Sequence, residues 1–294
     1  MSFRSRLRPV KRASASAVEL IWRVGFGAAA RLVRRDINRW ISPGGQRVLV
    51  VAPHPDDEAI GCVGTILLHV QSGDRVCVAI ATDGRRSRAI PDPVQMALQR
   101  RREATDAARL MQLERLEWLG LPEGEWSVRA LQDPLRALIE EIEPNIIYAP
   151  SRIDFHPEHF KVAHALALAL DEVGARQERV RVYQVQVPLT PVIANLVADV
   201  SALVPRCEAV LRAYVSQAGS VACAYRQRRY SALLHGIAKH AEEFWEMPAS
   251  RYVALHSVPP LQWPNAFRGL RNFPLTDPLA YLVGRNARRK MRCC

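Results

Sequence analysis

The sequence predicts an α/β fold, a doubly wound (Rossmann-like), mostly parallel sheet with helices on both faces. Three observations carry that expectation. Short apolar runs that do not alternate with polar residues recur from Gln46 onward, as strands buried on both faces require. Stretches long enough for helices separate them, which gives the strand–helix–strand rhythm of parallel pairing. The densest polar motifs fall just after apolar runs, at the carboxyl ends of strands, where such sheets bind ligands.

The elements follow in order. Residues 18–40 (VELIWRVGFGAAARLVRRDINRW) can form a helix with Val18, Ile21, Trp22, Val24, Phe26, Leu32 and Val33 on a broad apolar face edged by arginines. Two readings stay open: a helix lying on an anionic membrane surface, or one packed on the protein's own body with Trp22 and Trp40 as anchors. Glu19 and Arg23 interrupt the apolar region, so a secretory signal fits poorly. Arg47–Pro53 (RVLVVAP) reads as a buried strand, Asp57–Gln71 as a helix and Arg75–Ala81 as a second buried strand. A long helix around Val94–Met111 follows. Leu116–Leu119, Leu131–Ile142 and Ile146–Ala149 give strand, helix, strand; His159–Glu172 and Val180–Val187 give a further helix and strand.

Composition narrows the function classes. A chain of 294 residues with 49% hydrophobic and 24% charged residues can bury a sizeable core without disulfides or a structural metal. The net charge of +12 is concentrated at the ends. Residues 1–40 carry +8, the tail from Gly284 carries +5, and the body between them is close to neutral. A domain that reads nucleic acid would hold its positive charge on the folded body, so no nucleic-acid partner is expected. The six cysteines include no C-x-x-C pair and suggest no disulfide framework, which implies a reducing cytoplasm. Cys293-Cys294 lacks the C-a-a-X arrangement of a prenylation signal; acylation and fraying stay open.

Two motifs carry chemistry. Pro53-His54-Pro55-Asp56-Asp57-Glu58 ends the first buried strand, and Asp154-Phe155-His156-Pro157-Glu158-His159 follows the fourth. Taken alone, the first is a turn with an Asp helix cap, and the second is a helix start at Pro157. Brought to one sheet edge, they offer imidazoles and carboxylates to a metal. A catalytic zinc takes three such ligands and keeps a fourth position open.

With Thr82-Asp83-Gly84 after the second strand, these motifs resemble the PIG-L/LmbE family of zinc-dependent de-N-acetylases. Arg100-Arg101-Arg102-Glu103 resembles that family's R-x-x-E, and Ala198–Ser201, Tyr214–Gln217 and Ala241–Phe244 extend the likeness. Glu158 and Glu123 stand where aspartates are usual, and Cys207-Glu208 where a lysine is often found. The resemblance implies that His54, Asp57 and His159 hold Zn²⁺, although Fe²⁺ or Co²⁺ could use the same ligands. Asp56 would be the general base for the attacking water, His156 would stabilise the oxyanion, and Asp154 would hold His156 in its useful tautomer. Arg100, then Asp83 and Glu123, would contact substrate.

The domains expected on this basis are a basic extension over 1–44, a deacetylase domain over 45–283 and a basic tail over 284–294. The expected activity is removal of the N-acetyl group from an N-acetylglucosamine-type glycoside, with a small-molecule or lipid-linked amino sugar as partner. The location would be cytoplasmic, with peripheral membrane contact through residues 1–40. The alternatives are a zinc amidase acting on a non-sugar N-acyl metabolite, and a membrane- or polyanion-binding protein with a vestigial metal site. Of the remaining histidines, His69, His235, His240 and His256 read as structural or surface groups, and His164 lies on the helix that His159 opens.

Overall fold

In the computed structural model, the description covers residues 37–257 except 155 and 176, together with residues 20, 23–25, 27, 28 and 289. Eight strands form one sheet, in the order β1-β7-β8-β6-β5-β2-β3-β4. They are β1 (Asn38–Trp40), β2 (Arg47–Ala52), β3 (Arg75–Thr82), β4 (Arg115–Leu121), β5 (Ile146–Ala149), β6 (Arg179–Val182), β7 (Leu196–Asp199) and β8 (Ala241–Pro248). Every pairing is parallel except those of β8, which runs antiparallel to both β6 and β7. The fold is therefore the mostly parallel α/β sheet the sequence predicts.

The helices are α1 (Asp57–Gln71), α2 (Pro93–Met111), α3 (Val128–Ile142), α4 (Pro157–Glu172), the short α5 (Thr190–Ile193), α6 (Val204–Ala213), α7 (Ala218–His235) and α8 (Ala249–Ser257). They cover both faces, which explains the unbroken apolar strands. In β2, Leu49 and Val51 enter the core under α3, α4 and α8. Val48, Val50 and Ala52 alternate with them and enter the core under α1, α2, α6 and α7. All five side chains are fully buried, each large one stabilising by about 1.5–3 kcal/mol.

Three boundaries differ from the sequence reading. The helix read over 18–40 lies mostly outside the described residues, and so does Trp22. Its last three residues instead form β1, paired with Leu196–Ala198. Trp40 is buried there, its ring 4.4 Å from that of His69 and beneath the Arg181 guanidinium at 4.8 Å. It anchors the chain to the body, but from a strand. The strand read over Val180–Val187 stops at Val182; beyond it, Gln186 turns its N–H to Asp154 Oδ2 at 3.2 Å. The extension of the sheet by β7 and β8 was not read from the sequence. The terminal cysteine pair and all of the basic tail but residue 289 lie outside the described residues.

Helix α1 places the first motif, and its interior is broken at Cys62 (φ −153°, ψ 26°). A break leaves N–H groups without partners on one side and carbonyls on the other. Glu242 of β8 accepts from the N–H groups of Gly64 and Thr65 at 3.0 and 2.8 Å, and from the Thr65 hydroxyl at 2.7 Å. Arg228 of α7 donates to the carbonyls of Ala59 and Ile60 at 2.7 and 2.9 Å, and to Glu242 at 2.6 Å. One buried ion pair thus caps both halves of the helix.

Candidate metal and catalytic site

His54 and Asp57 stand at the carboxyl end of β2 and the start of α1, and His159 lies in the first turn of α4, after β5. The order β5-β2-β3-β4 makes these strand ends neighbours. Pro157 opens α4 at a position where its missing N–H costs nothing.

Three atoms converge. His54 Nδ1 lies 3.0 Å from Asp57 Oδ2, His159 Nε2 lies 3.1 Å from the same oxygen, and the two ring nitrogens are 3.3 Å apart. Atoms bound tetrahedrally to one ion at roughly 2.0–2.1 Å stand about 3.3 Å from one another. The triangle therefore has the size of one face of a zinc coordination tetrahedron, and its chemistry, two imidazoles and a carboxylate, suits that ion. His156 adds a third imidazole, with ligand atoms of His54, His156 and His159 all within 4.8 Å.

The outer ring nitrogens have carboxylate neighbours. Glu123 Oε1 is 3.3 Å from His54 Nε2, and Asp154 Oδ2 is 2.9 Å from His159 Nδ1. Each carboxylate favours a proton on the outer nitrogen and turns the lone pair of the inner one toward the shared point. The same carboxylates favour protons on both rings. Burial lowers the pKa of both histidines, but the carboxylates more than offset it, raising His54 and lifting His159 well above the usual value. Burial also opposes ionisation of Asp57, yet the two imidazoles hold its pKa well below the ordinary value. A metal would displace those protons.

Asp56 is held beside the triangle in an uncommon conformation, with φ 139°. A non-glycine residue there is strained and must be held by its surroundings. Arg100 of α2 donates to Asp56 Oδ1 at 2.5 Å and to the Pro55 carbonyl at 2.6 Å. Glu58 Oε2 accepts from the Asp56 N–H at 3.2 Å, and Glu58 in turn accepts from the Tyr214 hydroxyl. Burial raises the Asp56 carboxyl to about 6 despite the Arg100 charge. Burial likewise pushes Glu58 up to about 7.

Four residues meet partners other than those the resemblance implies. Asp154 does not hold His156; it binds His159 and the Gln186 N–H, because α4 turns His159 toward it. His156 caps α4 itself, its Nδ1 accepting from the Glu158 N–H at 3.3 Å. Glu123, expected to contact substrate, is buried against His54. Burial opposes its ionisation, but His54 and the Arg86 N–H, 2.9 Å away, bring its pKa to about 2. Arg100, expected to contact substrate, is buried and paired with Asp56. Asp83 organises the neighbouring loop: it accepts from the Glu123 N–H at 3.2 Å and from Arg85 Nε at 2.6 Å. Glu158 binds the Trp126 indole N–H.

The support of Glu58 by Tyr214, and of the Tyr214 turn by Glu103, was missed from sequence. Glu103 accepts from the N–H and hydroxyl of Ser216 at 2.9 and 2.7 Å. The signal was present in Tyr214–Gln217 and Arg100–Glu103, but their meeting depends on tertiary packing.

Residues 49–170 match the family model described as PIG-L: GlcNAc-PI de-N-acetylase. This segment is similar to the PIG-L family. The Bacillus subtilis (strain 168) protein named "Probable N-acetyl-alpha-D-glucosaminyl L-malate deacetylase 2" is 31% identical over 135 residues, covering 42% of this chain and 61% of that protein. The "Diacetylchitobiose deacetylase" of Thermococcus kodakarensis is 28% identical over 135 residues, covering 44% of this chain and 49% of its own. The chain therefore matches only about half to three fifths of these relatives' lengths. Among solved structures, a conserved protein of Thermus thermophilus superposes with a TM-score of 0.59 at 27% identity, over 68% of this chain and 93% of that one. The PIG-L match contains the whole His54–Asp57–His159 triangle, Asp56 and both carboxylates behind the histidines.

Proposed function

We propose that the protein is a zinc-dependent deacetylase that hydrolyses the acetamide of an N-acetylglucosamine-type glycoside, releasing acetate and a free amine. The observation that carries this reading is the triangle of His54 Nδ1, Asp57 Oδ2 and His159 Nε2, with Asp56 fixed beside it. The names of the relatives, one an N-acetylglucosaminyl malate deacetylase and one a diacetylchitobiose deacetylase, support the substrate class. Bound zinc supplies a Lewis acid that polarises the acetamide carbonyl and acidifies water.

The chain's own residues do the rest. Asp56, with a pKa near 6, is ionised at neutral pH and basic enough to take the proton of the attacking water. Arg100 fixes the carboxylate's direction. Because His156 Nδ1 accepts from the backbone, the neutral ring carries its proton on Nε2 and presents an N–H donor to the charge that develops on the acetyl oxygen. As the C–N bond breaks, the departing nitrogen takes a proton and acetate leaves. Cytoplasmic placement and contact of residues 1–40 with an anionic membrane surface complete the reading. Support for the contact is the +8 charge of that segment and the exposure of Leu20 and Val24, one turn apart. Among the described residues no helix is long and apolar enough to cross a membrane.

The test is acetate release from a panel of N-acetylglucosaminyl compounds by zinc-loaded wild type beside Asp56→Ala. We expect stoichiometric zinc in both proteins and turnover on the order of 10²–10⁴-fold lower in the variant. Wild-type turnover in Asp56→Ala would overturn the mechanism. Release from non-sugar N-acyl compounds alone would replace the sugar reading with that of a general zinc amidase.

A further inference from the structure

The body of the chain is nearly neutral, yet three arginines cluster in the loop after β3, at residues 85, 86 and 88. The loop is fixed at three points. Arg85 binds Asp83, the Arg86 N–H binds Glu123 behind His54, and the Ser87 hydroxyl accepts from Gln217 at 2.9 Å. It borders a cavity of about 710 Å³ lined by Arg85, Arg86, Arg88, Ile90, Pro91 and Glu125, among others.

The guanidinium groups differ. That of Arg85 is neutralised by Asp83 at 2.5 Å. Those of Arg86 and Arg88 have no carboxylate or carbonyl partner among the described residues, and both residues are exposed. Gly124, at φ +82°, makes room for Arg86: a Cβ there would lie 2.1 Å from its Cζ. The guanidinium thus rests against the turn that carries Glu123. Arg86 and Arg88 line this cavity together with one carboxylate residue, Glu125, and the Arg86 N–H binds Glu123, which stands against His54.

We infer that Arg86 and Arg88 form an oxyanion subsite that receives a carboxylate or phosphate carried by the aglycone of the substrate. This rests on the deacetylase reading above and adds to it a charge on the part of the substrate that does not react. Arginine suits the task because its planar fork pairs with two oxygens of one oxyanion. The cavity is wide enough for a small acidic aglycone, and the B. subtilis relative is named for an L-malate glycoside.

The test uses amine products, which are not turned over. Glucosaminyl L-malate, glucosamine 1-phosphate and methyl glucosaminide are titrated calorimetrically into the zinc-loaded full-length chain and into Arg86→Gln/Arg88→Gln. We expect wild type to bind at least one anionic glycoside tenfold or more tightly than the methyl glycoside. The double variant should bring that ratio to within about twofold of unity. The malate and phosphate arms identify the oxyanion. In wild type, the preference should also shrink between 50 mM and 500 mM salt, which needs no variant to fold. A wild-type ratio near one, or a ratio the substitutions leave unchanged, overturns the inference. Acetate release from the matching N-acetyl glycosides is measured separately, and its absence would count against the deacetylase reading without touching the binding ratio.

Discussion

Helix α1 carries a histidine–aspartate cluster at each end, and the two differ in where their protons go. At its last turn, His69 Nδ1 is 2.6 Å from Asp74 Oδ2 and its Nε2 is 2.9 Å from the Tyr148 hydroxyl, which accepts from Arg181 at 2.7 Å. With the ring neutral, each proton has one donor and one acceptor, and no position is left for an ion. At the first turn, two inner nitrogens and a carboxylate oxygen converge within 3.0–3.3 Å, while the outer nitrogens lie against carboxylates. A histidine beside an aspartate is therefore not a metal ligand by composition. It becomes one when its outer nitrogen is occupied and its inner lone pair shares a focus with others.

The largest effect should come from breaking that focus. Asp57→Ala is expected to lose stoichiometric zinc and at least about 10³-fold in turnover, whereas His69→Gln should keep its zinc and lose only stability. Metal analysis after dialysis decides the matter. Full zinc occupancy in Asp57→Ala would show that the triangle is not the binding site.

The second prediction concerns the break in α1 that separates the two ends. Glu242→Ala leaves Arg228 buried without its carboxylate and the Gly64 and Thr65 N–H groups without an acceptor. Breaking a buried pair in this way costs about 3–5 kcal/mol. Urea denaturation should show that loss while zinc stoichiometry is kept. A loss under about 1 kcal/mol, well below that range, would mean that the helix tolerates its break unaided.

Much of this was legible in sequence, and the limits have physical causes. β2, α1 and β5 were read nearly to the residue because parallel strands covered on both faces stay apolar throughout, a pattern that β2 follows from Val48 to Ala52. The meeting of His54, Asp57 and His159 was expected from the resemblance of two motifs at neighbouring strand ends, and the structure brings these three side chains together. β1 was not legible, since three residues containing Asn38 and Arg39 carry no pattern and owe their conformation to β7. The partners of Asp154, Glu123 and Arg100 were not legible for a related reason. Residue type announces a carboxylate or guanidinium, but only packing decides which of several nearby partners it meets. Asp154, two residues from His156 in sequence, is brought instead to His159 by one turn of helix.

A pH titration sharpens the contrast at the His69 end. Burial lowers its pKa to about 4 from the ordinary value of 6.5. Between those values the unfolded chain binds a proton that the folded ring refuses. His69 therefore destabilises the fold as pH falls from about 6.5 to about 4, with no further loss below that window. The full excursion is on the order of 3 kcal/mol. Urea unfolding at pH 7.0 and 4.5 should show a smaller difference in His69→Gln than in wild type. Equal differences would place the acid sensitivity elsewhere, His240 and His256 being the other buried candidates.

The smallest expected effect distinguishes an orienting carboxylate from a substrate contact. Glu123→Gln keeps the length of the side chain and an oxygen that can still face His54 Nε2, but removes the charge that holds the proton there. Carboxylates behind metal-bound histidines typically contribute about 10–100-fold in metal affinity or activity. We expect zinc affinity in Glu123→Gln to fall within that range, with KM little changed. If Glu123 instead contacted sugar hydroxyls, KM would rise and zinc affinity would stay at the wild-type value. The same substitution leaves the Arg86 N–H facing an amide oxygen or an amide nitrogen according to how the side chain turns. Comparing Glu123→Gln with Glu123→Asp, which retains charge but shortens the reach, then separates the two contributions. A loss of zinc affinity in Gln that is recovered in Asp points to the charge, and an equal loss in both points to the geometry of the Glu123–His54 contact.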